Sequence, residues 1–196
     1  MNPTAALPTF RIDPGTPLAQ RHPPEAPPVR DDSPALAVVT DLTLVKAATV
    51  HPQATLAQAE QTMITQGVRM LFVATGLPAI EGLITTTDLH GERQMRRVHE
   101  TGRRWSELTV ADVMTSADAL DAVDFDTLRN ATVANLIATL QRHGRNHLLV
   151  LQRPGPASAQ RVRGIVSRAQ IERQLGRPIV IAEIASSFAE IERALV

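Results

Sequence analysis

Apolar residues recur with regular periodicity from about residue 44 onward, and the pattern predicts two similar helix–strand units. In the first unit the residues on one helical face are Leu56, Ala59, Met63 and Ile64. In the second unit they are Val133, Leu136, Ile137 and Leu140. Each helix is followed by a short apolar run, MLFVA (70–74) or HLLVL (147–151), which predicts a buried strand.

The two units are an internal repeat. Residues 54–73 and 131–150 align at a constant offset of 77 and are identical at seven of twenty positions. Thr55 and Thr132 are predicted helix N-caps, and Gly67 and Gly144 are predicted C-caps. A second strand follows in each copy, EGLIT (81–85) or RGIVS (163–167), and then a second helix over roughly 88–101 or 168–175. Each repeat is therefore predicted to run strand–helix–strand–strand–helix.

The segments that flank the repeats have a different character. Residues 1–35 contain nine of the fourteen prolines and few large apolar residues, so they are predicted to form a disordered tail. A ligand for a proline-reading domain is the alternative. Residues 179–196 carry apolar residues at three- and four-residue steps, which predicts an amphipathic helix that covers this module, a dimer partner or a client protein. We place repeat 1 with its linker helix at 40–107 and repeat 2 at 108–178.

Composition excludes several classes of function. Twenty basic and twenty acidic residues balance to a formal charge of zero, so neither nucleic acid nor a membrane surface is an expected partner. The chain has no cysteine, no apolar run long enough to cross a bilayer, and no secretory leader pattern, so a cytoplasmic protein is expected. No metal-binding histidine spacing and no nucleophile or phosphate-loop motif is present. We therefore expect neither a metal nor an enzyme.

The stretch GLITTTDL (82–89) carries the most specific chemistry. Gly82 allows close approach of a ligand to the backbone, and Thr85 and Thr87 place hydroxyl groups where a strand gives way to a helix. The carboxylate of Asp88 can accept from both hydroxyl groups of a ribose. The alternative is an ordinary helix cap, with a threonine at the N-cap and Asp88 at the positive end of the helix dipole.

The ordered set of these segments, present twice, resembles the CBS domain, a family that occurs as tandem pairs called Bateman modules. The resemblance covers about residues 40–178. It is carried by ATVHPQATLAQA (48–59), GVRMLFV (67–73) and GLITTTD (82–88) in copy one, and by VADVMT (110–115), ATVANLIATL (131–140) and GIVS (164–167) in copy two. It implies an α+β fold of two β-α-β-β-α repeats packed as a pseudo-twofold pair.

The resemblance also implies a ligand and its contacts. The expected ligand is an adenine nucleotide (AMP, ADP or ATP) or a related adenosyl compound. The implied ligand-binding residues are Gly82, Ile84, Thr85, Thr87, Asp88, Arg69, Thr49, Phe72, His147 and Arg168. Among them, Arg69 is the better phosphate-binding candidate, and His147 and Arg168 have ordinary surface roles as alternatives. Copy two departs from the pattern because Gln170 stands where copy one has Asp88, which weakens the expected ribose contact there.

The predicted function is regulatory. The module is expected to bind its adenosyl ligand, to form a homodimer and to signal to an unidentified regulated protein in trans. The alternative is a ligand-free dimerisation or scaffolding module whose site is degenerate. Gln170 favours that alternative, and the intact GLITTTD sequence of copy one opposes it.

Overall fold

Two four-stranded sheets, each covered by helices, form the body of the protein in a computed structural model. The structure describes residues 8–17, 26–153, 155 and 159–181. Its helices are α1 (Leu56–Gln66), α2 (Thr86–His90), α3 (Glu92–Thr101), α4 (Val110–Val113), α5 (Phe125–Leu128), α6 (Val133–His143) and α7 (Arg168–Leu175). Its strands are β1 (Val39–Asp41), β2 (Thr49–Val50), β3 (Met70–Val73), β4 (Gly82–Thr85), β5 (Thr115–Ser116), β6 (Ala122–Asp124), β7 (His147–Gln152) and β8 (Arg161–Ser167). The predicted α+β architecture is confirmed.

Each sheet includes one exchanged strand. Strand β5, which precedes repeat 2, lies in the sheet of repeat 1, and strand β1, which precedes repeat 1, lies in the sheet of repeat 2. The strand orders are β2-β3-β4-β5 and β1-β8-β7-β6. At one edge of each sheet, the first strand of the repeat runs parallel to its neighbour: β2 beside β3, and β6 beside β7. At the opposite edge, the exchanged strand pairs antiparallel: β5 with β4, and β1 with β8. The sequence pattern did not predict these exchanged strands. They link the two repeats through backbone hydrogen bonds.

A glycine makes room for each exchanged strand. A Cβ atom on Gly82 would lie 2.3 Å from the carbonyl oxygen of Thr115 in β5, and one on Gly164 would lie 2.9 Å from that of Thr40 in β1. Both separations are too short for a side chain, so the sheets require glycine at these two positions. Gly82 therefore serves the approach of a neighbouring strand, where the sequence had suggested the approach of a ligand.

The hydrophobic cores of the two repeats do not follow the predicted domain boundaries. Leu108, Val110 and Val113 lie within the predicted range of repeat 2, but they pack into the helical core of repeat 1. Val29 and Val38 pack into the core of repeat 2. The packing of these side chains therefore crosses the predicted boundary at 107/108, and it includes Val29 and Ala35 of the predicted N-terminal tail. The described residues 8–17 are exposed, and residues 182–196 of the predicted terminal helix lie outside the described part of the chain.

The capping signals in the sequence correctly predicted the first helix of each repeat. Thr55 and Thr132 form capping boxes, and Gly67 and Gly144 end the helices with φ of 64° and 58°. Ile64 is an exception, because its side chain is 68% exposed on the flank of α1. The predicted helix over 88–101 is in fact two helices, α2 and α3, which meet at the extended residue Gly91.

Candidate functional site

The site lies where the two sheets face each other. Strand alternation turns Met70, Phe72 and Leu83 of the first sheet toward Leu149 of the second, and these four buried residues form a central apolar layer. A cleft of about 720 Å³ opens beside this layer. It is lined by Thr40, Leu42, Val45, Lys46, Ala47, Ala48, Gln66, Gly67, Val68, Arg69, Met70, Phe72, His147, Ile165, Ser167, Ala169, Gln170, Glu172 and Arg173.

The cleft belongs to the copy-two half of the pair. Ser167 and Gln170 occupy the positions in copy two that Thr85 and Asp88 occupy in copy one. The opposite wall comes from repeat 1, which contributes the end of α1 and the start of β3. A ligand in this cleft would therefore contact both repeats at once, and its binding would depend on the relative position of the repeats.

Three cationic side chains line the cleft: Lys46, Arg69 and Arg173. Within the described residues, neither Lys46 nor Arg69 forms an ion pair. Glu172 contributes a carboxylate to the wall, but it lies 3.5 Å from Arg168 and also accepts a hydrogen bond from the backbone N–H of Ile179. The electrostatic character of the wall is therefore positive.

His147 lies at the junction of the two halves. Burial lowers its pKa to about 4, with a further lowering by the charge of Arg69, an opposing effect from Asp88 and a smaller lowering by Arg168. The imidazole is therefore neutral at pH 7, and it can donate one hydrogen bond and accept another. The charges of Arg69, Asp88 and Arg168 thus all act on the pKa of this histidine.

Gln170 is part of a chain of side-chain hydrogen bonds. Its Oε1 accepts from Nη2 of Arg173 at 2.6 Å, and its Nε2 donates to Oε1 of Gln174 at 2.8 Å. Gln174 is buried and donates in turn to the carbonyl oxygens of Pro27 and Ala37, at 3.0 and 3.2 Å. The amide of Gln170 thus connects the cleft wall with the segment that precedes repeat 1.

The Thr85–Asp88 junction of copy one is a capping box. Oδ2 of Asp88 accepts from the backbone N–H of Thr85 at 2.9 Å and from its hydroxyl at 2.7 Å. The backbone N–H of Asp88 donates back to Oγ1 of Thr85 at 3.3 Å. The helix-cap interpretation of these residues therefore describes their bonding in this structure.

The structure brings together some of the predicted site residues and separates others. Arg69, Phe72 and His147 line the cleft. Ile84 is a correction, because it is fully buried among the helices of repeat 1 and faces away from the central layer. Thr49 lies along a separate groove beside α1, and the side chain of Thr87 is exposed on α2.

Sequence reasoning missed two cations of the cleft, Lys46 and Arg173. Lys46 lies in the loop after the exchanged strand β1, so only knowledge of that exchange would have placed it here. Arg173 lies one turn after Gln170 on α7, and helical spacing alone could have associated the two. No helix among the described residues is long and apolar enough to cross a membrane, and these residues include no cluster of potential metal ligands.

Comparison with solved structures identifies the fold. An uncharacterized conserved protein from Pyrococcus horikoshii matches with a TM-score of 0.53 and 19% identity, over 79% of this chain and 100% of that chain. CBSX2 in complex with AMP matches with a TM-score of 0.50 and 16% identity, over 72% of this chain and 94% of that chain.

The CBS domain pair of protein MJ0100, in complex with 5′-methylthioadenosine and S-adenosyl-L-methionine, also has a TM-score of 0.50, at 15% identity. That match covers 74% of this chain and 97% of the other. No protein-family model and no curated protein matches the sequence. The chain has the fold of a tandem CBS-domain pair, as the resemblance of its repeats implied.

Proposed function

We propose that this CBS-pair module is a regulatory protein that binds an adenosyl ligand between its repeats and signals to a partner in trans. The observation that carries the proposal is the cleft between the two sheets, which joins an apolar layer to a cationic wall. Two proteins of the same fold were crystallised with adenosyl compounds, one with AMP and the other with 5′-methylthioadenosine and S-adenosyl-L-methionine.

The walls of the cleft suit the parts of such a ligand. Val45, Met70 and Ile165 offer apolar surface to a base, next to the ring of Phe72. Arg69 offers a guanidinium that can bind a phosphate through two parallel hydrogen bonds. Because these residues come from both repeats, a bound ligand would stabilise one relative arrangement of the sheets, and a partner can recognise that arrangement.

The Thr85–Asp88 junction is proposed as the copy-one half of the same binding region, beside His147. The influence of Asp88 on the pKa of His147 supports this placement. If Asp88 holds a ribose, Asp88→Ala removes charge-assisted hydrogen bonds worth roughly 1.5–3 kcal/mol, and affinity for AMP falls about tenfold to 150-fold.

Asp112→Ala is the matched control for that variant. Asp112 closes a capping box with Thr109 at the start of α4, with the same two bonds from a threonine to its Oδ2 at 2.8 and 2.9 Å, and it does not line the cleft. Both variants should lose stability, whereas only Asp88→Ala should lose affinity in a calorimetric titration. Equal affinity for AMP in wild type and Asp88→Ala would reject the copy-one half.

A thermal-shift panel tests the proposed function as a whole. The panel contains AMP, ADP, ATP, 5′-methylthioadenosine and S-adenosylmethionine. A ligand present at 100 times its dissociation constant adds about 2.7 kcal/mol to the free energy of unfolding. At least one adenosyl compound should therefore raise the melting temperature, and a flat result across the panel would contradict the proposal.

A ligand-free scaffolding module is the second candidate, and a specific observation favours it. Oδ2 of Asp88 and the amide of Gln170 are both engaged in internal hydrogen bonds, so each has a structural role without any ligand. Lys46 and Arg69 form no ion pair with any residue that the structure describes, and they oppose this candidate, because a scaffold has no need of cations grouped in a cleft. The flat thermal-shift result would decide in its favour.

The proposed partners are a second copy of the chain and a regulated protein. For a homodimer, we expect sedimentation equilibrium at micromolar concentration to give about twice the chain mass of 21.2 kDa. A monomer at that concentration would exclude the dimer while leaving ligand binding intact.

A further inference from the structure

The N-terminal segment 26–38 lies against repeat 2, and its two halves are held differently. The second half is fastened by backbone hydrogen bonds around the start of α6, such as that from the N–H of Ala35 to the carbonyl oxygen of Ala131 at 2.9 Å. The side chain of Ala35 is also fully buried. The first half, residues 26–30, is exposed except for Val29. Because local opening begins where contacts are fewest, residues 26–30 can detach while the second half stays in place.

Gln174 holds residues 26–30 with both its backbone and its side chain. Its carbonyl oxygen accepts from the N–H of Val29 at 3.0 Å, and its Nε2 donates to the carbonyl oxygens of Pro27 and Ala37 at 3.0 and 3.2 Å. A carbonyl oxygen can only accept, so the NH₂ end of the Gln174 amide must face the segment and its Oε1 must face away. Gln170 supplies the donor to that Oε1 at 2.8 Å.

The residue at position 170 therefore sets the direction of the hydrogen-bond chain. Oε1 of Gln170 accepts from Arg173 at 2.6 Å, which leaves its Nε2 to donate to Gln174. A carboxylate, the group that copy one carries at Asp88, could accept from Arg173 but could not donate to Gln174. The Gln174 amide would then turn round, and its Oε1 would meet the carbonyl oxygens of the segment, where acceptors repel each other. The glutamine of copy two thus fills a role that an acid could not.

We propose that Gln170 is a positioning residue for a latch, the attachment of residues 26–30 to Gln174, and that a ligand which draws the Gln170 amide into the cleft opens this latch. Gln170 lines the cleft between the repeats, so one amide serves both the ligand site and the latch. Moving its Nε2 toward a ligand takes the donor away from Gln174. The opening by a ligand rests on the proposed function, whereas the fastening by Gln170 does not. Residues 26–30 continue the proline-rich N-terminal sequence, so the latch connects the cleft with that tail.

Hydrogen exchange of the Val29 amide, followed by NMR in the full chain, measures the latch directly, because this N–H is bonded to Gln174. Gln174→Glu places a carboxylate against two carbonyl oxygens and defines the open limit. Gln170→Glu should speed exchange at Val29 by about tenfold, the effect of losing roughly one to two neutral hydrogen bonds. Gln170→Met removes the donor without adding a charge, so it should speed exchange by a smaller factor.

Two controls accompany these variants. Exchange at Ala35, in the second half of the segment, should stay within about twofold in each of them. Gln53→Glu makes the same change of charge at an exposed position outside the cleft and should leave Val29 unchanged. If Gln170→Glu unfolds the repeat, exchange at Ala35 will rise as much as at Val29, and Gln170→Met then decides the result. The latch is overturned if Gln174→Glu leaves Val29 exchange within about twofold, or if both Gln170 variants do.

The five compounds of the thermal-shift panel test the opening of the latch by a ligand. A compound that binds should speed exchange at Val29 by about threefold or more in the wild-type chain and should have no further effect in Gln174→Glu. By linkage, the same compound should bind Gln174→Met more tightly than wild type, because Gln174 does not line the cleft and its loss frees the Gln170 amide.

The outcomes separate this inference from the proposed function. If compounds bind but leave Val29 exchange unchanged or slow it, the opening of the latch is overturned while the adenosyl-binding function stands. If no compound of the panel binds, the proposed function fails and the opening by a ligand fails with it. The fastening of residues 26–30 by Gln170 is then accepted or rejected on the variants alone.

Discussion

Replacing Gln174 by alanine tests whether the hydrogen-bond chain behind the cleft holds the N-terminal segment in place. The side chain of Gln174 is only 4% exposed, although glutamine is normally a surface residue. It makes three side-chain hydrogen bonds, one from Gln170 and one each to the carbonyl oxygens of Pro27 and Ala37. Alanine removes all three and leaves the carbonyl groups of Pro27 and Ala37 without these donors.

The expected loss of stability follows from those bonds. A neutral hydrogen bond contributes about 0.5–1.5 kcal/mol net, so the loss of three should lower the free energy of unfolding by roughly 1.5–4.5 kcal/mol. With a urea m-value of about 2 kcal/mol/M for a domain of this size, the unfolding midpoint should fall by roughly 1–2 M. Circular dichroism during urea titration measures this shift.

Two further variants make the result interpretable. Gln174→Met keeps most of the buried volume and removes the hydrogen bonds, so it should be nearly as destabilising as Gln174→Ala. Gln53→Ala is the surface control, because Gln53 is exposed and its side chain should contribute within about 0.5 kcal/mol. If Gln174→Ala lowers the free energy of unfolding no more than Gln53→Ala does, the hydrogen bonds of Gln174 do not anchor the N-terminal segment, and the reasoning is refuted.

Two other predictions concern the exchanged strands and the titration of the cleft. Gly82→Ala forces a Cβ against the backbone of β5 and should cost roughly 1–3 kcal/mol or more by urea unfolding, whereas Gly76→Ala, with nothing within 4 Å, should stay within about 0.5 kcal/mol. A small loss at Gly82 would mean that β5 is not held there. The pKa of His147 is lowered to about 4 from its ordinary value of 6.5, so the unfolded chain binds the proton of this histidine more readily between these pH values. Stability should therefore fall by up to roughly 3 kcal/mol as pH drops from 6.5 to 4, and His147→Gln should remove that part of the pH dependence; identical pH profiles would contradict it.

The sequence determined those features that arise from contacts between near neighbours in the chain. A threonine hydroxyl reaches a backbone N–H three residues later, so Thr55 and Thr132 could be recognised as N-caps from the sequence alone. Gly67 and Gly144 end helices because of their own backbone freedom. Repetition of these local signals at a fixed offset predicted two similar units, and their resemblance to the CBS domain implied the paired fold.

The tertiary structure decided which distant segments meet. Strand β1 pairs with β8, and β5 pairs with β4. Both pairings depend on the approach of the two repeats, which cannot be predicted from a local sequence pattern. That approach brings the backbone of β5 against Gly82, and Ile84 lies on the helical side of its sheet. The side chains facing the cleft come from both repeats, so their combined charge exists only once the pair has assembled. Electrostatic interaction and burial depend on distance in space, and for this reason the low pKa of His147 and the positive wall around it could not be predicted from the sequence.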